Sequence, residues 1–545
     1  MNSPTNKNYV QFSRSKIWEK QGSFYKQAGI DAWNERVPYQ ITNNLTIANS
    51  YASLVFCFFK EYASRHPADP EQNPFIIVEL GAGSGMFGFY LIKRLLELQA
   101  ELNRPDLAFR YIMTDFSQKN IEFWRKHPAL REYLDLQILD FAEYDIGETS
   151  ELKLLESGKH LHHSMDRGQY PKPWVVIANY AFDTLPQDIF QVKDGSLWEG
   201  LTPKTIPELN DETSKPNEPK SFQQIGMNIE YHSVNLPYYK EQHFDGILSS
   251  YQDTLPDGSF LFPINALKGI NNLIKLSGQE LLLLATDKAS SHQPPSISEE
   301  TQDIVFHDAS FSMVVNFHAI SAFFRSNGGK SLHQPLPESI TTSLFVVGKG
   351  LEFLYETQHS FSTFLVTYNP FSLFNFYSQL EQFIHTYSTG DLLSYLNLTQ
   401  WDPEVINRCI NIIVAKTKEL DATSLKPFIE GMHRCADYFY YLPSSTFTLV
   451  NVGTFFQEIK DFETALQYYQ KSVNYSGKES SQLSNHTLYN MGLCYYHLGQ
   501  HKTALEHFRL ANQVSPTTDM VAKGWIYYLT EEVSKPKKRK KQPKG

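Results

Sequence analysis

Residues 77–85 read Ile-Val-Glu-Leu-Gly-Ala-Gly-Ser-Gly, an apolar run that ends in a carboxylate and three alternating glycines. The apolar run predicts a buried strand that ends at Leu80, and a helix is predicted over 87–98. Glycine permits a tight turn and leaves no Cβ between the backbone and a ligand at the helix N-terminus. The stretch therefore predicts a strand–turn–helix unit that cradles a nucleotide-like ligand, with a ligand-free tight turn as the alternative.

Strands and helices alternate after this turn. Strands are predicted over 110–114, 136–139, 174–178, 280–286 and 343–347, and helices over 117–126, 260–276 and 312–325. This order predicts an α/β fold, a doubly wound Rossmann-like sheet, with residues 187–279 inserted as a substrate-side cover that includes a surface loop over 201–222. Ligands of such sheets bind at the carboxyl ends of the strands. The polar side chains predicted at those ends are Asp115, Asp140, Asn179, Asp183 and Asp287.

The glycine turn fits one class of ligand better than another. Residues 83–88 match GxGxxG, the dinucleotide pattern, but the strand ends at Leu80, so the first glycine of that pattern should be Gly81 and its third would fall on Met86. Glu79 would also repel a pyrophosphate. S-adenosylmethionine carries a sulfonium and an ammonium group, both cationic. We therefore predict S-adenosylmethionine as the cosubstrate, with a dinucleotide as the alternative.

The strand ends suggest roles toward that cosubstrate. Asp115, followed by Phe116, is placed to accept hydrogen bonds from the ribose hydroxyls, and Asp140 and Phe141 are placed to meet the adenine amino group and ring face. The full predicted cofactor site is Glu79, Gly81, Gly83, Gly85, Asp115, Phe116, Asp140, Phe141 and Asn179.

These motifs together resemble a known family. The order VELGAGSG, YIMTDFS, LDF and VVIANYAFDTLP is similar to class I S-adenosylmethionine-dependent methyltransferases, and more narrowly to the MidA-type group, which includes mitochondrial complex I assembly factors that methylate protein arginine. The likeness covers about residues 35–350, including PYQIT at 38–42, which resembles the segment that covers the cofactor. The resemblance implies methyl transfer. Tyr180 stands where the family has glutamate, so we do not extend the arginine specificity to this chain.

Methyl transfer needs orientation of the acceptor and, for some acceptors, a base. Asn179 and Asp183 are candidates for positioning the acceptor, and Asp287 or His318 for the base. Each has a plainer interpretation: Asp183 would cap the turn at Leu185-Pro186, and His318 would be a packed, hydrogen-bonded histidine. His160, His162 and His163 have no nearby carboxylate, so we predict a loop and no metal site there.

The two ends of the chain carry helical patterns. Residues 1–70 are predicted as a helical lid, in which Ile47, Tyr51, Leu54, Val55, Phe58 and Phe59 share one helix face. After a class I methyltransferase domain at 71–350, we predict a helical linker domain at 351–445 and tetratricopeptide (TPR) repeats with a capping helix at 446–532. The repeat positions are Leu449, Gly453, Phe456, Ala465 and Tyr469, then Leu488, Gly492, Tyr495, Gly499, Ala504, Phe508, Ala511 and Pro516.

Charge and composition limit the kinds of partner that the chain can bind. The chain of 545 residues has a net charge of −10, which divides into +7 on residues 535–545 and −17 on the rest. The acidic body should not bind nucleic acid broadly, although the basic tail at 533–545, predicted to be disordered, could bind RNA or an import receptor. No segment has the length of a membrane span or the form of a secretory signal, and four scattered cysteines suggest a reducing compartment. We predict a cytoplasmic location, with nuclear import through the tail as a further option.

Three functions fit these features. The first is a methyltransferase whose repeats recruit a protein substrate through their groove. The second is a small-molecule methyltransferase whose repeats serve oligomerisation. The third is a non-catalytic adaptor that keeps the cofactor fold as a scaffold.

Overall fold

The computed structural model describes residues 8–33, 40–66, 73–162, 171–204, 219–220, 227–297, 304–307, 310–335, 339–351, 354–443, 447–476, 481–514 and 520–534. Residues 535–545 of the predicted basic tail, His163, the predicted repeat position Pro516, residues 38–39 and most of the predicted loop at 201–222 lie outside these ranges. The chain divides into two compact units, Met1–Phe376 and Tyr377–Gly545.

Seven strands of the first unit form its central sheet. They are β1 (Phe75–Leu80), β2 (Phe109–Asp115), β3 (Leu139–Glu143), β4 (Trp174–Asn179), β5 (Leu281–Asp287), β6 (Lys330–His333) and β7 (Thr341–Val347). Their order in the sheet is β3-β2-β1-β4-β5-β7-β6. Strands β1 to β5 run parallel, and β7 is antiparallel to both of its neighbours. Every residue of β1, β5 and β7 is buried, which explains the apolar runs that open β1 and β5.

Helices cover both faces of this sheet. They are α1 (Lys16–Ala28), α2 (Leu45–Arg65), α3 (Met86–Glu101), α4 (Gln118–Lys126), α5 (Pro128–Asp135), α6 (Gln242–Thr254), α7 (Ile264–Leu276), α8 (Phe317–Ser326) and α9 (Tyr355–Phe361). On one face, Ile76, Val78 and Leu80 share a core with residues of α6, α7 and α8. On the other, the ring of Phe75 stacks at 4.0 Å on Phe59 of α2. The α/β fold class predicted from the alternating strands and helices is therefore confirmed.

A second, antiparallel sheet occupies the region that was predicted only as an inserted cover. It joins Tyr9–Gln11, Ser196–Pro203, Asp188–Lys193, Gly258–Phe262 and Ser296–Ile297 in that order, with Glu230–Ser233 also paired to Ser196–Pro203. The predicted helix at 260–276 is wrong in its first residues, because Gly258–Phe262 is a strand and α7 begins after Pro263. The N-terminal strand thus ties α1 to the insertion.

Smaller strand pairs complete the first unit. Ile304–His307 pairs with Pro219–Lys220 and Ser310–Met313, Ala289–Ser290 with Val315–Asn316, and Leu152–Lys153 with His160–Leu161. The predicted helix at 312–325 is therefore also wrong at its start, since α8 begins only at Phe317, after Asn316 caps it.

The third strand of the sheet lies later in the sequence than predicted. Helix α5 runs to Asp135 and ends at Leu136, whose side chain is 57% exposed, so the strand cannot begin there. Strand β3 pairs Leu139 with Tyr111 and Glu143 with Asp115. Asp140 therefore lies level with Ile112 inside the sheet, and the carboxyl end of β3 is at Glu143.

The second unit is helical. Helix α10 (Pro370–Gln382) crosses the boundary between the units, and α11 (Thr389–Leu398), α12 (Pro403–Thr417), α13 (Ala422–Asp437), α14 (Thr448–Glu458), α15 (Phe462–Ser476), α16 (Ser481–His497), α17 (His501–Val514) and α18 (Met520–Ser534) follow. A Cβ added to Gly453 would lie 2.7 Å from the Tyr469 ring, and one added to Gly492 would lie 2.8 Å from the Phe508 ring. Gly453 and Gly492 thus each admit an aromatic ring from the next helix.

The domain division differs from the predicted one in two places. Residues 351–376 belong to the first unit because α9 packs on α2, where Thr357 donates to the buried Glu61 carboxylate from its backbone N–H at 3.0 Å and its hydroxyl at 2.9 Å. The predicted linker helices after 377 share one continuous core with the repeats, from Ile384 to Cys494. Within the described residues, no helix is long and apolar enough to cross a membrane.

Candidate functional site

The glycine turn after β1 has the backbone geometry that its sequence suggests. Gly81, Gly83 and Gly85 have φ of 62°, 54° and 80°, the left-handed region that other residues avoid. The turn is held from β2 by the Ala82 N–H, which donates to the Thr114 carbonyl at 2.9 Å. Gly85 then caps α3. The three alternating glycines are therefore required by the backbone.

A cavity of about 330 Å³ opens beside this turn, at the carboxyl ends of the parallel strands. A Cβ built at Gly81 would meet nothing within 4 Å, so the backbone faces open space there. The cavity walls come from α1 and the residues just before it, the ends of β1 and β2, α4, the segment after β3, the turn after β4, and the start of α7. The residues that line it include Ser15, Trp18, Gln21, Tyr25, Gly81, Asp115, Phe116, Asn120, Tyr144, Asp145, Tyr180 and Leu185.

Asp115 organises the cavity wall at the end of β2. Its Oδ2 accepts from the Gly83 N–H at 3.1 Å and the Asn120 Nδ2 at 2.9 Å, and its Oδ1 accepts from the Ser117 N–H at 2.8 Å. Burial raises the pKa of this carboxyl to about 6, against the lowering effect of these donors. One carboxylate therefore fixes the glycine turn and still faces the cavity.

Two buried polar atoms in this wall have no hydrogen-bond partner among the described residues. Asn120 is 5% exposed, and its Nδ2 is committed to Asp115, so its Oδ1 can only accept. The Tyr144 hydroxyl, on a side chain that is 2% exposed, is also unpartnered within the described part of the chain. Unpaired buried polar groups are costly, so this wall is built to meet a polar ligand that donates hydrogen bonds.

The cavity carries more negative than positive side chains. Its carboxylates are Glu19, Asp115, Asp145 and Glu148, and its cations are Arg14 and Lys26. Burial raises the pKa of Asp145, while Lys26 opposes that shift. Because the excess is negative, the cavity favours a cationic ligand and would repel a pyrophosphate.

Two predicted adenine contacts do not reach this cavity. The Asp140 carboxylate accepts from the backbone N–H groups of Phe141, Glu156 and Ser157 at 2.9, 3.0 and 3.2 Å, so it fixes the loop after β3. The Phe141 ring is fully buried, 5.6 Å from the Trp124 ring. Both predictions are wrong because the strand ends at Glu143, which places Tyr144 and Asp145 at the cavity instead.

Glu79 also lies away from the cavity lining. Its Oε2 accepts from the Tyr111 hydroxyl at 3.0 Å and lies 2.7 Å from where a Cβ of Gly88 would be. Burial and the nearby Asp115 raise the pKa of this carboxyl to about 8. Glu79 thus supports the packing of α3 on the sheet, and its predicted contact with a cofactor is not seen in this geometry. Gly83 and Gly85 shape the turn, whereas Gly81 alone of the three lines the cavity.

The predicted positioning residues lie at and after the end of β4. The Asn179 Oδ1 accepts from the Tyr51 hydroxyl of α2 at 2.8 Å. The next residue, Tyr180, has φ of 50° and lines the cavity, whereas Asn179 is outside the lining.

Asp183 and Asp287 form a buried carboxyl pair below the turn. The Asp287 Oδ2 accepts from the backbone N–H of Phe182 at 2.8 Å and of Asp183 at 3.3 Å. Burial raises the pKa of Asp183 to about 7, and burial together with Asp183 raises the pKa of Asp287 well above its usual range. Both shifts favour the protonated form of these buried carboxyls. Asp287 is fully buried and holds the turn from beneath, so the structure gives it no access to an acceptor.

His318 is a packed histidine, as its plainer interpretation predicted. Its Nδ1 lies 2.8 Å from the Tyr251 hydroxyl, the two rings stack at 5.6 Å, and burial lowers the histidine pKa. It does not line the cavity, so this geometry does not support its predicted role as a base. Among the described residues, no group of three or more His, Cys, Asp or Glu side chains could hold a metal ion.

The sequence predicted a helical lid over 1–70, but it did not single out the residues of α1 that line the cavity. The spacing of Ile17, Trp18 and Gln21, all buried, is the signal that could have found this helix, but its first turns are mostly polar. Asp145 was missed because the end of β3 was misplaced.

Three comparisons relate the chain to known proteins. The tetratricopeptide repeat family model matches residues 445–512, which confirms the predicted repeats. No curated protein matches the chain. A solved structure of an uncharacterized protein from Burkholderia thailandensis is 10% identical, with a TM-score of 0.39, over 64% of this chain and 90% of that one. A second solved structure from the same organism is 11% identical, with a TM-score of 0.37, over 62% of this chain and 88% of that one. That protein is described as a candidate methyl transferase bound to S-adenosyl-homocysteine. These values are too low to assign this chain to a family.

Proposed function

We propose that this chain is an S-adenosylmethionine-dependent methyltransferase of the MidA-like type, acting in the cytoplasm on a protein substrate that its repeat unit recruits. The observation that carries the proposal is the cavity beside Gly81. It combines a glycine turn at the carboxyl ends of parallel strands with an excess of carboxylates. Its volume is also within the range of roughly 300–1,000 Å³ that small-molecule sites occupy.

The described residues fit an adenosyl ligand. Asp115 and the unpaired Asn120 Oδ1 are placed to accept from ribose hydroxyls, and Phe116 lies beside them in the wall. Tyr144 and Asp145 would meet the adenine, the carboxylate at its amino group. Tyr144 and Asp145, which follow the end of β3, thus replace Asp140 and Phe141 as the proposed adenine contacts.

When bound, S-adenosylmethionine would supply a methyl group already activated by its sulfonium. What the chain must add is orientation of the acceptor and exclusion of water. Helix α1 would help to exclude water, because its residues Trp18, Gln21 and Tyr25 line the cavity. The proton that an acceptor loses would pass to water, because Asp183 and Asp287 lie outside the cavity lining.

The protein substrate is inferred from the repeats. Stacked tetratricopeptide units build extended concave surfaces that bind other proteins. The close packing of Gly453 on Tyr469 and of Gly492 on Phe508 supports such a stack in the second unit. The basic residues of the tail would add contacts to an acidic partner or an import receptor.

Isothermal titration of the full chain with S-adenosylmethionine, S-adenosyl-homocysteine and NADH tests the cofactor. We expect heat from the two adenosyl ligands and none from NADH, and Asp115→Ala should weaken binding by about 1.5–3 kcal/mol through lost hydrogen bonds. Asp106→Ala removes the same charge at an exposed ion pair with Arg104 and serves as the control. A folded sample that gives no heat with either adenosyl ligand contradicts the proposal.

Transfer of a labelled methyl group into a cell lysate tests the acceptor. Label in protein bands supports a protein substrate. Label confined to the small-molecule fraction supports the second function, in which the repeats serve oligomerisation. Cofactor binding without any transfer supports the adaptor.

A further inference from the structure

The end of the cavity formed by α1 and the turn after β4 has polar atoms that the adenosyl ligand would not use. Helix α1 is anchored there by Phe12, Ile17 and Trp18, which share a core with residues of the second sheet and of the adjoining strand Ser310–Met313. The Trp18 Nε1 donates to the Phe12 carbonyl at 2.9 Å. This wall is therefore a fixed surface.

Gln21 presents a hydrogen-bond acceptor to the cavity. Its side chain is 3% exposed, and its Nε2 donates to the Phe311 carbonyl at 2.8 Å. A carbonyl can only accept, so this contact fixes which end of the amide is nitrogen. The Oε1 at the other end has no partner among the described residues. A ligand at this wall must therefore bring a donor.

Two hydroxyls accompany that acceptor. Ser15 is the N-cap of α1 and is 1% exposed, yet its hydroxyl does not cap the helix and is unpartnered within the described chain. Serine at this position usually accepts from the first turn, so its hydroxyl is available to the cavity that it lines. Tyr180 lines the cavity from the turn after β4, and its buried hydroxyl is also without a partner in the described ranges. A hydroxyl can donate as well as accept.

Among the described residues, this wall has no pair of lining carboxylates that could hold a guanidinium. A guanidinium is held best by paired carboxylates in a fork. Around Ser15, Gln21 and Tyr180 the only lining carboxylate on α1 is the exposed Glu19, and the buried Asp183 and Asp287 lie outside the lining. One acceptor and two hydroxyls match a neutral group that both donates and accepts.

We propose that Ser15, Gln21 and Tyr180 form the acceptor subsite and that it takes an uncharged carboxamide, such as a glutamine or asparagine side chain. The amide nitrogen would donate to the Gln21 Oε1, and its carbonyl would accept from the two hydroxyls. This assignment rests on the proposed function, since it places the methyl donor at the Gly81 end of the same cavity.

Ligand-observed NMR on the full chain, saturated with S-adenosyl-homocysteine, tests the subsite. The probes are N-acetyl methylamides of glutamine, arginine and leucine, which share one backbone and differ in the side chain. We expect the glutamine probe to bind about three- to tenfold tighter than the other two, the range that one or two net hydrogen bonds supply. Gln21→Leu should remove that preference, and Ser23→Ala, on an exposed part of α1, should keep it.

Loss of the Phe311 contact could unfold the Gln21 variant, so Ser15→Ala provides a second test. It removes only an unpaired hydroxyl and should weaken the glutamine probe about two- to fivefold, with S-adenosyl-homocysteine binding unchanged. Equal binding of the three probes, no detectable binding, tighter binding of the arginine probe, or variants that bind like wild type would each overturn the subsite. A chain that binds the glutamine probe but no adenosyl ligand would instead contradict the proposed function and keep the amide site.

Discussion

The Tyr51 hydroxyl lies 2.8 Å from the Asn179 Oδ1, and so connects the middle of α2 with the end of β4. The same hydroxyl is 2.7 Å from the Thr286 Oγ1, which is 2.8 Å from the Thr342 Oγ1. Tyr51, Thr286 and Thr342 are fully buried. A chain of hydroxyls thus runs across three adjacent strands and fixes the side chain that precedes the cavity turn.

Removing the Tyr51 hydroxyl should destabilise the first unit. Tyr51→Phe leaves the Asn179 Oδ1 without its donor in a largely dry site, and we expect a loss of about 1–3 kcal/mol in the free energy of unfolding. Urea denaturation followed by circular dichroism measures it. Tyr355→Phe, at a side chain that is 64% exposed, is the matched control and should change stability by less than about 0.5 kcal/mol. Equal stabilities of the two variants would contradict the role of this hydroxyl.

The sequence predicted the parts of this site that depend on local chemistry. The glycine turn and Asp115 could be placed because an apolar strand, three glycines and a carboxylate at the next strand end have few other interpretations. The carboxylate after β3 was misplaced because LDLQILDF, at 134–141, has two aspartates, and only the end of α5 at Asp135 decides where the strand begins. Local patterns do not carry that information.

The buried polar residues of α1 could not be predicted for a related reason. Ser15 and Gln21 are polar residues that are buried only because the strand Tyr9–Gln11 pairs with Leu201–Pro203, almost 200 residues away in the chain. Tertiary pairing of this kind brings α1 over the cavity, and nothing in residues 1–28 alone indicates it. The unpaired side-chain oxygens of Ser15 and Gln21 could therefore be identified only from the structure.

The first glycine of the turn should be sensitive to substitution for two separable reasons. Gly81→Ala places a Cβ on a backbone with φ of 62°, which should cost about 1–2 kcal/mol of stability. The same Cβ enters the open space of the cavity and should weaken S-adenosyl-homocysteine binding in calorimetry. Gly246→Ala, in the middle of α6 with nothing within 4 Å, is the control and should stabilise the fold by about 0.5–1 kcal/mol. Unchanged ligand binding in Gly81→Ala would place the ligand elsewhere.

Two of the repeat glycines, Gly453 and Gly492, should not tolerate even one added methyl group. Gly453→Ala and Gly492→Ala would each place a Cβ within 3 Å of an aromatic ring, and we expect losses of about 1–3 kcal/mol from overpacking in the second unit. Thermal unfolding of the full chain, followed by circular dichroism at a helical wavelength, detects the change. Gly390→Ala, whose added Cβ would come no closer than 3.8 Å to another atom, lies in the same unit and should be close to neutral. If all three variants unfolded at the same temperature as wild type, the close packing of the aromatic rings on Gly453 and Gly492 would be contradicted.

Glu79 should make the stability of the ligand-free chain depend on pH. Its pKa is raised from an ordinary 4.5 to about 8 in the folded state, mainly by burial. Below pH 4.5 the carboxyl is protonated in both states and contributes no difference. Between the two pKa values the unfolded chain loses the proton while the folded chain keeps it, so folding stability falls as the pH rises and levels off above about pH 8.

Glu79→Gln isolates this contribution because the amide resembles the protonated carboxyl and does not titrate. We expect the variant to gain stability over wild type steadily from pH 5 to pH 8, by at most about 1.4 kcal/mol per pH unit and on the order of 2–3 kcal/mol in total. Urea denaturation across this range measures the difference, and the pair at pH 4.5 is the internal control, where it should be smallest. A stability difference that does not change with pH would mean that Glu79 is ionised in the folded chain. It would contradict the prediction that this buried carboxyl is protonated.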